Sequence, residues 1–206
     1  MSTPTLLVLN ASPRFERSGS RKLAAEYVAA WKALHPEAAI VSRDLGVQPP
    51  PVVTEDWIAG AFTPPAQHSA QAKRAIAISD EYVNELIAAA DILIATPVYN
   101  FNVPASLKLW IDQIVRPGRT FAIDETGYKG LIGGRKVTVL VTSGGDLRPG
   151  TPFGAFNFLE PYLRGLFAFL GITTVEFIYA VNQSNDAVRD AALSEALAAT
   201  RELAAA

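Results

Sequence analysis

The sequence predicts an α/β fold in which helices cover both faces of a parallel sheet, a doubly wound sandwich. Short apolar segments alternate along the chain with longer segments in which apolar residues recur at helical spacing. The first segment, residues 5–10, contains an unbroken apolar run that closes on Asn10, a pattern typical of a strand buried on both faces of a parallel sheet. Strand and helix in alternation predict a layered sheet with helices on either side.

The elements follow in order along the chain. Five strands are expected at residues 5–10, 39–41, 91–96, 135–142 and 173–179. Five helices are expected at residues 20–34, 66–89, 104–115, 152–170 and 186–203. His35 and Pro36 end the first helix, because the residue before a proline disfavours helical backbone. Pro104 suits the first turn of its helix, where its missing N–H is not needed.

Composition indicates one globular domain across residues 1–206. Hydrophobic residues make up 50% of the chain and charged residues 18%, enough apolar side chains for a full core. A net charge of −2 offers no basic surface, so a nucleic-acid partner is not expected. The chain has no cysteine, which excludes disulfides, thiolate metal sites and a cysteine nucleophile.

The start of the chain lacks the features of a secretory signal. No basic segment precedes the apolar run at residues 6–9, and that run is too short for the core of a signal peptide. No stretch approaches the roughly 18 apolar residues of a spanning helix, so no membrane span is expected. The expected location is the cytoplasm. His35 and His68 are isolated from other ligand residues, and no metal site is expected.

The loop after the first strand carries three serines and leads into a helix. It has neither the G-x-G-x-x-G pattern of a dinucleotide site nor the G-x-x-x-x-G-K-[ST] pattern of a P-loop. Hydroxyl groups and free N–H groups at a helix N-terminus favour an anion, here a phosphate monoester. The alternative is that Ser18 and Ser20 only cap the helix, and both interpretations stand at this point. The candidate phosphate ligands are Ser12, Ser18, Gly19 and Ser20.

The loop after the third strand combines stiffness with aromatic side chains. Residues 96–104 read Thr-Pro-Val-Tyr-Asn-Phe-Asn-Val-Pro. Backbone groups there can hydrogen-bond to the polar edge of a flat heterocycle, and the apolar rings can cover its face. The alternative is a plain turn whose rings pack on the core. The candidate ring contacts are Pro97, Val98, Tyr99, Asn100 and Phe101.

The loop after the fourth strand reads Ser143-Gly144-Gly145-Asp146. Paired glycines let a backbone approach a ligand closely, although they also suit a loop that needs positive φ. In a doubly wound sheet the three loops meet at the carboxyl edge, where ligands bind. One loop suited to phosphate and two suited to a planar ring together favour FMN.

The chain resembles the FMN-dependent NADH:quinone oxidoreductase and azoreductase family of the flavodoxin-like quinone-reductase superfamily. The matching segments are Ser12, residues 18–20, 97–102, 107–112, 120–121, 143–145 and 169–172. This resemblance implies a flavodoxin-like sandwich with strand order 2-1-3-4-5. The sequence departs from the family pattern at Val98, where methionine is common, and at Asp146, where glycine is common.

The resemblance also implies an activity. It implies FMN as cofactor, NADH or NADPH as electron donor, and quinones or aromatic azo compounds as acceptors. Hydride passes to flavin N5 in a ping-pong scheme, so no side chain is expected to be catalytic. A homodimer with FMN at the interface is implied, with Phe121, Phe153 and Phe156 as candidate walls of the substrate pocket.

Two other functions remain open from the sequence. A flavodoxin-type carrier would pass electrons to a protein partner, but such carriers are strongly acidic and a charge of −2 disfavours this. A flavin-free scaffold with an interaction role is the second. A yellow colour of the purified protein and turnover of NADH with a quinone distinguish the three. The physiological acceptor and the preference between NADH and NADPH are not encoded in any motif.

Overall fold

The fold is built on a five-stranded parallel sheet. A computed structural model describes residues 4–125 and 127–205. The strands of the sheet are β1 (Thr5–Asn10), β2 (Ala39–Asp44), β3 (Asp91–Pro97), β6 (Lys136–Thr142) and β7 (Thr174–Ala180). Two further strands, β4 (Phe121–Asp124) and β5 (Gly127–Gly130), pair antiparallel outside the sheet. The strands of the sheet lie in the order β2-β1-β3-β6-β7. The expected order 2-1-3-4-5 is therefore confirmed, since the hairpin only changes the numbering.

Helices cover both faces of the sheet, as expected. They are α1 (Gly19–Leu34), α2 (Glu55–Phe62), α3 (Ala70–Ala88), α4 (Ala105–Ile114), α5 (Leu159–Phe169) and α6 (Arg189–Ala204). The helices α1 and α6 share one hydrophobic cluster with the sheet, while α3, α4 and α5 share the other. The doubly wound architecture places β1, β3, β6 and β7 between two apolar layers, because each contributes buried residues to both clusters.

Strand β1 shows how the sequence builds this core. Successive side chains of a strand point to opposite faces, so a strand between two helical layers needs apolar residues at every position. Leu7 and Leu9 belong to the cluster under α3, α4 and α5, and Leu6 and Val8 belong to the cluster under α1 and α6. All four side chains are buried.

Six features differ from the expectations: two unpredicted elements, one longer strand and three helices that begin later. The helix α2 and the β4–β5 hairpin were not predicted, and β2 extends to Asp44 instead of ending at residue 41. The helix expected over residues 152–170 begins only at Leu159, because the preceding segment turns back on itself through a short 3-10 turn, Gly154–Phe156. The helices predicted at residues 66–89 and 186–203 begin later, at Ala70 and Arg189.

Over the described residues, no helix is long and apolar enough to cross a membrane.

Candidate functional site

A cleft of about 700 Å³ opens at the carboxyl edge of the sheet. The loops after β1, β3, β6 and β7 surround it, as expected for the point where strand order reverses. Its walls include Ser12, Arg14, Arg17, Ser18, Gly19, Lys22, Pro97, Val98, Tyr99, Thr142, Ser143, Gly144, Gln183, Ser184, Arg189, Asp190 and Leu193. Eight of the candidate cofactor contacts therefore meet in one cleft.

Residues 12–20, called here the serine loop, contain one serine that faces the cleft at the start of α1 and one that is buried behind it. Ser18 lines the cleft and caps α1, because its hydroxyl oxygen accepts a hydrogen bond from the Arg21 N–H at 3.4 Å. Ser20 is 0% exposed and lies behind Ser18, with 3.2 Å between the two hydroxyl oxygens. Helix geometry leaves the N–H groups of Gly19 and Ser20 without an intrahelical acceptor. The loop therefore caps the helix and also presents donors to an anion, so the two interpretations of these serines are compatible.

Arg21 and Gly46 hold the serine loop in place. The Arg21 guanidinium donates to both carboxylate oxygens of Asp44 at 2.7 Å and to the Ser12 carbonyl at 2.6 Å. Gly46 donates its N–H to the Asn10 carbonyl at 3.1 Å. The end of β2 and the loop after it thus support the loop after β1, through the Arg21–Asp44 ion pair and the Gly46 backbone hydrogen bond.

The end of the cleft near α1 is positively charged. Arg14, Arg17 and Lys22 line it, and across residues 4–125 and 127–205 they form no ion pair. Arg189 also lines it, but it is paired with Asp186 and Asp190. Unpaired cations beside a helix N-terminus favour a dianionic ligand group.

The loop after β3 forms a tight turn. Tyr99 and Asn102 exchange two backbone hydrogen bonds, at 3.0 and 3.1 Å, and the residues between them have positive φ. These angles, 47° at Asn100 and 70° at Phe101, are those of a type I′ turn. Tyr99 lines the cleft, whereas the side chains of Asn100 and Phe101 lie beyond its walls within one chain.

The loops after β3, β6 and β7 are joined by backbone hydrogen bonds. The Val98 N–H donates to the Thr142 carbonyl at 2.8 Å, and the Ser184 N–H donates to the Gly144 carbonyl at 3.2 Å. A Cβ atom on Gly144 would lie 2.8 Å from the Ser184 hydroxyl oxygen. Neither Gly144 nor Gly145 has positive φ, so close packing at Gly144 explains its glycine better than backbone strain does.

Asp146 and Gly145 lie outside the cleft walls. Asp146 pairs with Arg148 at 2.6 Å, and the hydrogen bond from that guanidinium lowers the pKa of the carboxyl group. The Gly145 carbonyl accepts a hydrogen bond from the Ser143 hydroxyl at 2.7 Å. Both residues shape the loop in this chain rather than facing the cleft.

The three candidate aromatic walls fall into two places. Phe153 and Phe156 are exposed, and the Phe156 ring lies 5.4 Å from the Phe101 ring. Phe121 is buried in the core, 5.0 Å from the Phe169 ring. Within one chain, Phe121 therefore supports the hairpin instead of forming a wall of the cleft.

Sequence reasoning missed the contribution of the loop after β7. Gln183 and Ser184 line the cleft, and Arg189 adds a charge from the first turn of α6. No motif marks these residues. The topology itself was the available signal, because the carboxyl end of the last strand lies at the same edge as the others.

The residues of the cleft fit FMN. Its volume lies in the range of small-molecule sites, roughly 300–1,000 Å³. Free N–H groups and unpaired cations at one end suit a phosphate, and Val98 and Tyr99 at the other end suit a flat ring.

Known proteins resemble this chain in sequence and fold. A family model described as a flavodoxin-like fold matches residues 4–204. A protein of Nostoc punctiforme named FMN-dependent NADH:quinone oxidoreductase is 46% identical over 197 residues, covering 96% of each chain. One of the same name from Acidobacterium capsulatum is 44% identical, covering 98% of this chain and 99% of its own. The crystal structure of an azoreductase from Bacillus anthracis superposes with a TM-score of 0.90 at 27% identity, covering 98% of this chain and 99% of that one. The chain therefore belongs to the flavodoxin-like family of FMN-dependent NADH:quinone oxidoreductases.

Proposed function

We propose that this chain is an FMN-dependent oxidoreductase that transfers electrons from NADH or NADPH to quinones and aromatic azo compounds. The observation that carries the proposal is the cleft, in which groups suited to a phosphate at one end face the Val98 and Tyr99 side chains at the other. The names of the relatives, a quinone oxidoreductase and an azoreductase, support the two acceptor classes.

The residues have separate roles in this proposal. Ser18, Gly19 and the neighbouring cations bind the FMN phosphate, and the turn at residues 97–101 lies along the ring. Ser143 and Gly144 approach the ring from the other side. When bound, FMN supplies the redox chemistry, and the protein binds and orients the reactants. Donor and acceptor occupy the same aromatic site in turn, which makes the kinetics ping-pong.

We also propose a homodimer with FMN at the interface. Exposed apolar side chains support it, because scattered single residues are common on monomers whereas clusters indicate contact surfaces. Phe153 and Phe156 form one such cluster, and Ile123 and Tyr128, opposite each other on the hairpin, form a second. Light scattering over a dilution series tests this proposal, and a fully active monomer at micromolar concentration contradicts it.

Cofactor release and turnover test the activity. The purified protein is expected to be yellow and to release FMN, identified by mass, in a ratio near one per chain. NADH oxidation is expected to require a quinone or an azo dye and to give parallel lines in double-reciprocal plots. Stoichiometric FAD contradicts the cofactor assignment. Bound FMN without turnover of any quinone contradicts the enzyme assignment and favours an electron carrier.

A further inference from the structure

An exposed aromatic loop lies beside the cleft. Residues 147–157, called here the aromatic loop, connect β6 to α5. Phe153 and Phe156 on this loop are 60% and 46% exposed. Phe156 nevertheless contacts Phe101, on the same tight turn as the cleft residue Tyr99. Exposed rings held next to a binding cleft are typical of a contact surface for an apolar ligand.

Asn157 links the two ends of the aromatic loop. Its side-chain amide donates to the Leu147 carbonyl, ten residues earlier in the chain, at 2.9 Å. Its side-chain oxygen accepts from the Glu160 N–H at 3.0 Å, at the start of α5. Asn157 is 7% exposed, so these hydrogen bonds are shielded from water. A compact surface loop whose ends are joined in this way is an Ω-loop.

The same amide ties the loop to the sheet. It also donates to the Tyr179 hydroxyl at 2.8 Å, and that hydroxyl donates to the Glu160 carboxylate at 2.6 Å. Burial, followed by the hydrogen bond to Glu160, raises the pKa of Tyr179, so the hydroxyl keeps its proton at neutral pH. Arg164 completes the network by pairing with Glu160 at 2.7 Å. Hydrogen-bond networks that are partly shielded from water and whose polar atoms are paired help to fix the elements that they join.

The aromatic loop in turn supports the tight turn after β3. The Phe158 N–H, directly after Asn157, donates to the Phe101 carbonyl at 3.0 Å. Phe101 has a φ of 70°, a left-handed conformation that is costly for a bulky side chain and persists only when its surroundings hold it. The Phe158 hydrogen bond and the Phe156 ring are the contacts that hold Phe101 from this side.

We propose that Asn157 is a positioning residue that sets the acceptor specificity of the cleft. By joining the ends of the aromatic loop to Tyr179, it holds Phe156 against Phe101 as a continuous apolar wall. Such a wall adds contact area only for acceptors that extend beyond one ring, so the enzyme prefers flat acceptors of two or more fused rings. This inference rests on the proposed quinone reduction.

Two variants and one control test the proposal in the FMN-loaded protein. Asn157→Leu removes all three side-chain hydrogen bonds at similar volume. Tyr179→Phe removes one partner and keeps the ring, so it remains informative if Asn157→Leu folds poorly. Tyr27→Phe is the matched control, because Tyr27 is a buried tyrosine of the other hydrophobic cluster and its hydroxyl contacts Thr138. The readouts are chymotrypsin cleavage after Phe153 and Phe156, FMN content, and KM for a benzoquinone and a naphthoquinone.

We expect faster cleavage within the loop in both variants and not in the control. KM for the naphthoquinone should rise by about fivefold or more in Asn157→Leu, equivalent to about 1 kcal/mol, and less in Tyr179→Phe. KM for the benzoquinone, FMN content and the rate of flavin reduction by NADH should change little. Unchanged cleavage refutes the link between the loop ends. Faster cleavage with equal changes in both KM values refutes the specificity role. If the unmutated protein reduces no quinone, the proposed function fails, while the cleavage result still reports on the link.

Discussion

Gly46 and Ser12 are in direct backbone contact, so close that a Cβ atom on Gly46 would lie 2.2 Å from the Ser12 carbonyl oxygen. The next nearest atoms, the Ser12 carbonyl carbon and the Pro13 nitrogen, are also backbone. No side-chain movement relieves such a clash. A glycine after β2 therefore determines where the serine loop after β1 lies.

We expect Gly46→Ala to displace the serine loop and weaken FMN binding. Overpacking costs about 1–3 kcal/mol, which lowers Tm by roughly 2–12 °C for a chain of this size. Differential scanning calorimetry and FMN titration measure the two effects. Gly165→Ala is the control, because nothing lies within 4 Å of a Cβ there. That helical position should gain about 0.5–1 kcal/mol and keep its FMN affinity. A destabilised Gly46→Ala protein with unchanged FMN affinity would show that the loop position does not govern binding.

Ser18 separates helix capping from phosphate binding, because aspartate caps a helix as well as serine does. We expect Ser18→Asp to keep the stability of the protein but to weaken FMN binding by more than about tenfold, since its carboxylate faces the phosphate. The double variant Ser18→Ala with Ser20→Ala should also weaken FMN binding by more than about tenfold, because it loses the Ser18 hydrogen bond to a charged group and the Ser20 hydroxyl that contacts Ser18. The rate per bound flavin should change little in either protein.

Ser69→Ala is the matched control for these serines. Ser69 caps α3 by accepting from the Ala72 N–H at 3.0 Å and does not line the cleft. Its loss should cost about 1 kcal/mol of stability with no effect on FMN. If Ser18→Asp retains FMN through dialysis as well as Ser69→Ala does, the serine loop is only a cap.

Arg17 should contribute to FMN affinity in a salt-dependent way. It is exposed and has no ion pair within the described parts of the chain, so its charge is available to a bound phosphate but screened by solvent. We expect Arg17→Gln to raise the FMN dissociation constant by about threefold at low ionic strength, and by less at about 0.5 M salt. Lys73→Gln, on the exposed surface of α3, should have no effect. An Arg17→Gln effect that does not decrease with salt would argue against a Coulombic role.

The sequence predicted the parts of the fold that depend on local pattern. All five strands of the sheet followed from apolar runs separated by segments with helical spacing, whereas their order followed from the family resemblance. The helix α2 was not predicted because it is short and lies between proline-rich segments. Its N-terminal signals are nevertheless present, since Thr54 provides a cap and Glu55 and Asp56 an acidic first turn. Its stability comes from distant contacts, including a 2.7 Å hydrogen bond from Trp57 to Gln113. The β4–β5 hairpin likewise depends on Phe121 packing against Phe169.

The convergence of the three loops was predictable where the candidate residues are contiguous in sequence. The serine loop, residues 97–99 and residues 143–144 meet at the cleft as the motifs indicated. Ser20, Asn100 and Phe101 are adjacent to it, behind or beyond its walls. Gln183 and Ser184 were not predicted because hydrogen bonds between loops place them, such as Gln183 N–H to the Ser143 carbonyl at 3.0 Å. Such tertiary contacts leave no trace in a local pattern.

Asn100 occupies the first central position of the tight turn, and its conformation changes how its role must be tested. With φ at 47°, asparagine is favoured there for its backbone, whereas leucine is strained. Asn100→Leu therefore removes the amide and strains the turn together. Asn100→Gly removes the amide and keeps a turn that needs positive φ, so the pair of variants separates the two effects.

We expect Asn100→Gly to retain FMN and to have a more negative midpoint potential, with slower reduction by NADH. In the proposed site, the Asn100 amide would donate a hydrogen bond to the ring where negative charge accumulates on reduction, and losing that bond would disfavour the reduced state. For a two-electron couple about 30 mV corresponds to about 1.4 kcal/mol, so a shift of roughly 10–30 mV is expected for one hydrogen bond. Asn100→Leu should show the same shift together with a lower Tm. Spectroelectrochemical titration of both holoproteins measures the potentials. Asn100→Gly could instead have the same midpoint potential as the unmutated protein while Asn100→Leu has a lower Tm. That result would mean that Asn100 only stabilises the tight turn, because glycine preserves the backbone conformation that asparagine provides.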